Sequence, residues 1–517
     1  METKNVKPDY VVNFDRPTGT EIKCINGHWY LYERKSVYDP VTKKKRKKSG
    51  SLLGAITEEG FKPRKLKVES DQLKEIQCVE YGASSYLYQT NQPMLEQLKH
   101  FFPNSWKKIF AMAALKCIGE TTLKRIPTAY ETSWLSVLFG DLKFTPSGLT
   151  ADIRELGRNR DAICRYMRNG LSGFSGFILI DGHRIISASR DLPFAQLGYD
   201  SRMRYSHQIN LLYLFGSNKQ GRMPLYYKQF VGSVPDCMTL PDISEESGIS
   251  GTEITVIADK GFGTTDDFTA IIGSGMKYII PLKRNTSEID ALPKAYSSYA
   301  MVFNFRERSV YCNKYEKDGY TVYLYYDMLL AMHETNDAVT RLNQRNQANE
   351  ITLAKEAARR KKGKPKLSES QIDGLQSIDV ASTLQDTPGI GTLILKTNRT
   401  DLNEAQVYAL YKTRQEIEQS FKCYDDTLEL ESSHMQDTDA FEGWLFINHL
   451  ALQMLYGILD YIAQAGLTSK YSFKDVIRTL DGIRANKING VWLPTKYTKH
   501  TMKLCDELNI HIDPSLL

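Results

Sequence analysis

The middle of this 517-residue sequence predicts an α/β fold, a mixed sheet with helices on its faces. Three observations carry that expectation. Short apolar runs ("GFILIDG", "YSHQINLLYLFG" and "MPLYYKQFVG") follow one another between 176 and 232 as strand candidates. Strand and helix patterns then alternate through "DCMTLPDISEESG", "EITVIADKGFG", "TTDDFTAIIGSG" and "MKYIIPLKR". After a long polar interruption, "GTLILKTN" returns to a strand before a further helix.

Each remaining region has its own signature. Residues 1–90 read as a β-rich module, because "EIKCINGHWYLYERKSVYD" and "GSLLGAITEEG" alternate apolar and polar residues around an Asn26-Gly27 hairpin turn. Lys43, Lys44, Lys45, Arg46, Lys47 and Lys48 form a dense basic run between its strands, suited either to a solvated hairpin tip or to phosphate contact. Residues 91–172 read as helices, among them "MLEQLKHFF" and "WKKIFAMAALKCIG", with the size of a small DNA-binding unit. Residues 173–284 form the first part of the α/β core. Residues 285–390 interrupt it with strand-like pieces and a long polar helix ending in the basic "AKEAARRKKGKPKLSES", either a solvated helix or an arm over DNA. Residues 391–465 resume the core, with Asp401 and Glu404 as a capping pair for a helix and an apolar helix over 437–465. Residues 466–517 read as a tail of helix and loop.

Size and composition limit the functional classes. A chain this long is expected to hold two to four domains. Lys plus Arg is 67 against 61 for Asp plus Glu, giving a net charge of +6, too mild an excess to name a polyanionic partner unless it is concentrated somewhere. The eight cysteines are scattered, with no Cys-x-x-Cys pair, which argues against structural zinc and a disulfide framework and for a reducing cytosol. The first residues lack the apolar core of a secretion signal. The most apolar stretch, "GWLFINHLALQMLYGILDYIAQAG", is interrupted by Asn448, His449, Gln453 and Asp460, so a soluble protein without membrane partners is expected.

The chemistry is concentrated in three places. Asp181 follows Ile178-Leu179-Ile180, and Asp259 follows Val256-Ile257-Ala258. A carboxylate at the end of a buried strand is costly unless it faces a crevice, a cation or a donor, and strand ends are where ligands bind in open α/β sheets. The third place is "YKTRQEIEQSFKCYDD". Tyr411, Arg414, Glu418 and Lys422 recur there at three- and four-residue steps and share one helix face, whereas Glu416 points away. Three carboxylates from separate elements are what two Mg²⁺ ions require, and paired ions suit in-line displacement at a phosphodiester. Tyr411, Arg414 and Lys422 would add hydrogen bonds and positive charge for phosphate, Arg414 through its planar fork.

These residues resemble a DDE transposase of a bacterial insertion sequence, in the IS-four family. Tyr411, Arg414 and Glu418 fit the spacing of the family's Tyr-Arg-Glu-Lys signature, "VIADKGF" resembles the block of the second Asp, and "LIDG" that of the first. The resemblance implies a ribonuclease H-like core split by an α+β insertion. It implies Asp181, Asp259 and Glu418 as catalytic, metal-holding residues, with Mg²⁺ as cofactor and Mn²⁺ as a substitute. It also implies binding of terminal inverted repeats and target DNA by a homodimer in a synaptic complex, in the nucleoid of the bacterial cytoplasm. The implied activity is cleavage at element ends followed by joining of the 3′-hydroxyls to target DNA. The alternatives are a ribonuclease H-like nuclease without strand transfer and an inactive DNA-binding descendant.

Three departures from the family pattern stand out. Asp425 occupies the position of the signature Lys, leaving Lys422 as the cation on that face. His183 stands where Thr is frequent, two residues past the first Asp. The insertion has no Trp on which to stack a flipped base, so Tyr320, Tyr323 or Tyr325 would have to take that part.

Overall fold

A computed structural model describes residues 7–39, 44–64, 76–119, 122–140, 142–187, 189, 191–199, 205–218, 221–234, 238–251, 253–284, 299–363, 366–375, 377–385, 389–414, 432–433, 435–488 and 490–512, excepting the side chains of 35–39, 44–48, 199, 260, 385 and 432–433. They fall into two compact units, one of residues 1–77 with 487–492, the other of residues 78–486 with 493–517.

The smaller unit is a four-stranded antiparallel sheet in the order β1 (Thr20–Ile25), β2 (His28–Asp39), β3 (Lys44–Thr57), β4 (Gly60–Pro63). Ile25 pairs with His28, leaving Asn26 and Gly27 as a two-residue turn with φ of 52° and 81°. That double left-handed geometry is why Asn-Gly is read as a hairpin signal. Val11, Trp29, Leu31 and Ile56 make its core. The backbone of Lys44–Lys48 lies within β3, and the run's side chains are outside the described residues.

The larger unit opens on the last three residues of β5 (Ile76–Glu80), which precede a set of helices between Gly82 and Leu171. The main sheet follows, built from β6 (Gly176–Ser187), β7 (Gln196–Tyr199), β8 (Tyr205–Asn218), β9 (Gly221–Val231), β10 (Ile254–Ile257), β11 (Lys277–Pro281), β12 (Met301–Phe305), β13 (Arg308–Lys317), β14 (Tyr320–Asp327) and β15 (Thr392–Thr397). Its order is β12-β13-β14-β15-β11-β10-β6-β8, with β7 and β9 both pairing β8. β6, β10 and β11 are mutually parallel, and the other pairs among these ten strands are antiparallel. The parallel strands need crossovers. Helix Leu240–Ser247 makes the first, ending on Gly248 at φ 69°, and helix Thr265–Gly273 the second, opened by a Thr264–Asp267 capping box.

The apolar runs are strands because they are buried. All four residues of β10 and nine consecutive residues of β8 are inaccessible, as expected of strands covered on both faces. Two boundaries differ from the sequence expectation. The first apolar run does not stop at Asp181, since β6 continues to Ser187 with Asp181 near its middle, paired with Tyr213. The strands of the interrupting segment join the same sheet, because β15 pairs with both β11 and β14.

Helix Thr438–Gln464 is apolar and long enough to cross a membrane by length and composition, yet it is mostly buried within this unit. It lies against helix Pro146–Arg158 so closely that a Cβ on Gly157 would stand 1.7 Å from the Asp439 carbonyl oxygen, and one on Gly443 would stand 2.0 Å from that of Ile153. Glycine at both positions lets the two backbones touch. Arg154–Asp437 (3.2 Å) and Arg158–Asp439 (3.0 Å) ion pairs flank the contact.

Candidate active site

Register brings the first two acids together. Leu179 of β6 pairs with Ile257 of β10, so two residues on, past the end of β10, Asp259 stands level with Asp181. Parallel neighbours in register present their side chains on one face, which puts both carboxylates side by side at the carboxyl ends of apolar rows. His183, two further along β6, is on that same face and half-buried.

The helix over 404–414 supplies a cation to this pair. It starts from Asn403, whose Oδ1 accepts from Gln406 N at 2.9 Å while Gln406 Oε1 accepts from Asn403 N at 2.9 Å. This replaces the expected Asp401–Glu404 cap, and the reason is a competing partner. Arg399 holds Asp401 through two bonds of 2.7 and 2.5 Å. Val407, Tyr408, Tyr411 and Arg414 form the buried stripe of the helix. The Arg414 guanidinium is 7% exposed and stands 3.9 Å from Asp181 Oδ1 and 3.5 Å from Asp259 Oδ1. It lies 5.9 Å from the centre of the Tyr411 ring.

A second set of residues fixes this helix to the sheet. Tyr408 donates to Asp327 Oδ2 at 2.5 Å, Arg308 pairs with the same carboxylate at 3.1 Å, and Tyr325 donates to the Glu404 carbonyl at 2.8 Å. Burial pushes the Asp327 carboxyl up, but the Tyr408 and Arg308 bonds outweigh it and hold it below its usual range. Asp327 also caps helix Met328–Lys361 through Leu329 N. Sequence reasoning missed this anchor. Its signal was an Asp closing the strand pattern "YTVYLYYD" just before a helical one. Lys412 is buried beside Tyr408, and desolvation pushes its amine down.

The acids are partly open to solvent. A cavity of about 840 Å³ between this face and the helix is lined by Phe177, Leu179, Ile257, Leu410 and Thr413, but it runs toward the amino-terminal ends of β6 and β10, at Gly176 and Glu253, and neither aspartate lines it. The Asp181 side chain is 23% exposed and that of Asp259 47%. Two carboxylates, level and partly exposed, fit hard divalent cations. Among the described residues no group of three His, Cys, Asp or Glu side chains forms a metal site. Glu418, Lys422 and Asp425 lie outside the described residues, as do the side chains of the 43–48 run.

The structure also decides between the tyrosines. Tyr323 and Tyr325 are 2% and 0% exposed in the sheet and have no face to offer a base. Tyr320 is half-buried, with Lys396 Nζ 4.0 Å from its ring centre.

The family model described as "Transposase DDE domain" matches residues 173–454. No curated protein matches the chain. Among solved structures, the cryo-EM structure of a piggyBac transposase synaptic complex with hairpin DNA is similar at 12% sequence identity, over 77% of this chain and 76% of that one, with a TM-score of 0.37.

Proposed function

This chain belongs to the DDE-domain transposases, and on that premise we propose that it binds the ends of a bacterial mobile element, cuts them, and joins their 3′-hydroxyls to target DNA. The observation that carries this reading is the level pair Asp181 and Asp259, bridged by Arg414. The strand order β9-β8-β6-β10-β11, with β8 antiparallel to β6, supports a ribonuclease H-like core.

Asp181, Asp259 and Glu418 would hold divalent ions, Mg²⁺ or Mn²⁺, whose chemistry is to activate the attacking oxygen and stabilise the leaving one. Arg414 balances the two carboxylates and offers a planar fork to a scissile phosphate. Tyr411 packs against Arg414 and limits where that fork can point. Lys422 adds charge on the same helix face, and Lys43, Lys44, Lys45, Arg46, Lys47 and Lys48 contact DNA phosphates from the N-terminal module. Cleavage by water frees a 3′-hydroxyl, whose attack on a target phosphodiester forms the new strand bond and expels a target 3′-hydroxyl. A homodimer holds both ends in a synaptic complex, in the nucleoid of the cytoplasm.

The test supplies the purified chain, Mg²⁺ and DNA carrying the element's own ends. Asp181→Ala, Asp259→Ala and Glu418→Ala should each slow cleavage and joining at least about a hundredfold with DNA binding retained, since such ions supply several kcal/mol of transition-state stabilisation. Wild-type activity in all three would refute the triad, and cleavage without joining would indicate a nuclease.

A further inference from the structure

The basic stretch after residue 354 belongs to neither the carboxylate pair nor the helix that carries Arg414. It lies at the far end of helix Met328–Lys361, whose 34 residues extend about 51 Å at 1.5 Å per residue. Only Asn349 and Glu356 are buried along that whole length. A helix so exposed is not held by a core, so whatever orders it must be local.

Two side-chain staples do this. Asn346 bonds the Ile378 backbone in both directions, at 2.9 and 2.8 Å, and so ties the returning chain to the helix. Glu356 turns inward at 2% exposure, and its Oε1 accepts from Lys366 N at 2.8 Å and Leu367 N at 3.1 Å. Arg360 donates to the Leu367 carbonyl at 3.2 Å across the same turn, and Gly363 takes φ +66° to reverse the chain. A Ser368–Gln371 capping box then starts the next helix.

The charge on this tip is one-sided. The described residues between 355 and 366 include six cations (Lys355, Arg359, Arg360, Lys361, Lys362 and Lys366) and a single acid, Glu356, which is the buried one. Lys355, Arg359 and Lys362 share a helix face at i, i+4 and i+7, spanning about 10 Å. Cations are favoured in the last turn of any helix, but that preference accounts for one or two residues rather than this excess.

We propose that the tip of this helical hairpin is a preformed clamp for the phosphate backbone of duplex DNA, separate from the catalytic face. Duplex DNA carries a charge every ~1.7 Å of its axis, which suits a rigid row of cations. A membrane surface is the poorer fit. Among the described residues of 355–366 there is no large apolar side chain to enter a bilayer, Leu353 and Leu367 are turned partly inward, and the exposed Ile351 stands alone a turn before the cations. The inference takes from the transposase reading only that DNA is the polyanion present.

The experiment uses the full chain and a fluorescent duplex of random sequence, without divalent metal, over a series of salt concentrations. Substituting Arg359→Gln, Arg360→Gln, Lys361→Gln and Lys362→Gln together should lower the slope of log Kd against log salt by about 3 to 4, at roughly 0.9 for each phosphate no longer neutralised. Thermal melting of that variant should stay close to the parent's, because the Glu356 bonds to the Lys366 and Leu367 amides remain and only the Arg360 bond to the Leu367 carbonyl and the long Arg359 and Arg360 contacts with Glu356 are lost. Glu356→Ala separates a built clamp from mere charge. Removing an acid should tighten binding if only charge matters, and should weaken it severalfold if the staple orders the row. A parent that binds while the fourfold variant keeps its slope overturns the clamp alone. Tighter binding by Glu356→Ala, or capture of anionic vesicles in preference to duplex, also overturns it. A parent that ignores duplex DNA overturns the clamp and the transposase reading together.

Discussion

Two carboxylates standing level at the end of a parallel strand pairing repel each other. The Arg414 guanidinium offsets the repulsion by standing within 4 Å of both. The same position makes Arg414 a competitor for any added cation. Arg414→Gln should therefore bind Mn²⁺ about tenfold more tightly, some 1.4 kcal/mol, by spin-resonance titration of the free ion. Turnover should fall in the same variant, since the phosphate fork is gone. An unchanged Mn²⁺ affinity would show that the guanidinium does not contend for the site. The two aspartates were legible in the sequence because a charge directly after a buried apolar run is conspicuous. Arg414's contact with both of them was not, because it joins residues more than 150 positions apart through a register that spacing alone does not define.

At the scale of elements, the tightest constraint lies where helices Pro146–Arg158 and Thr438–Gln464 cross. Gly157→Ala should destabilise the chain by about 3 kcal/mol or more, because the new methyl meets a backbone carbonyl that cannot rotate away. Denaturant unfolding would read this as a lower midpoint with an unchanged slope, and Gly140→Ala, whose nearest neighbour would be 3.5 Å away, should cost far less. The elements themselves were largely readable. The Asn26-Gly27 hairpin and the helix–strand alternation over 240–281 appear where the patterns indicate. What the patterns could not convey was partnership. β14 and β15 are separated by a 34-residue helix and two short ones, and neighbouring sequence does not specify that they pair. The cap at Asn403 was misread for a similar reason, since Asp401 looks equally suitable until Arg399 is seen to hold it.

Over the whole molecule, a buried polar network binds the early helices to the sheet. Arg160 reaches Glu442 at 2.6 Å and Glu246 at 2.8 Å, and Tyr227 donates to the same Glu442 carboxylate at 2.7 Å. His449 sits within this region beside Tyr213 and Tyr227, bonded to Gln453, and burial with the nearby Arg160 charge pushes its imidazole down to about 3. The unfolded chain takes up that proton near pH 6.5 and the folded chain only near 3. Folding stability from this residue is thus complete above about 6.5 and drains as pH falls, by ~1.4 kcal/mol per unit in that window. Urea unfolding at pH 7.5 and 5.5 should show the loss, and His449→Gln should flatten it by about one proton's worth.

The close crossing at Gly157 and Gly443 bears on heredity as well as on stability. Residues 173–454 carry the family likeness, yet their last long helix is seated on partners that precede residue 173. One is helix Pro146–Arg158, and the others are Cys117, whose Sγ lies 3.4 Å from the Ala451 carbonyl oxygen, and Phe102, whose ring packs at a tilt 5.3 Å from that of Phe446. The stretch that defines the lineage is therefore not an autonomous module. Moved by itself into another gene, it would leave behind the surfaces that bury its closing helix, so the early helices and the matched stretch have to be inherited together.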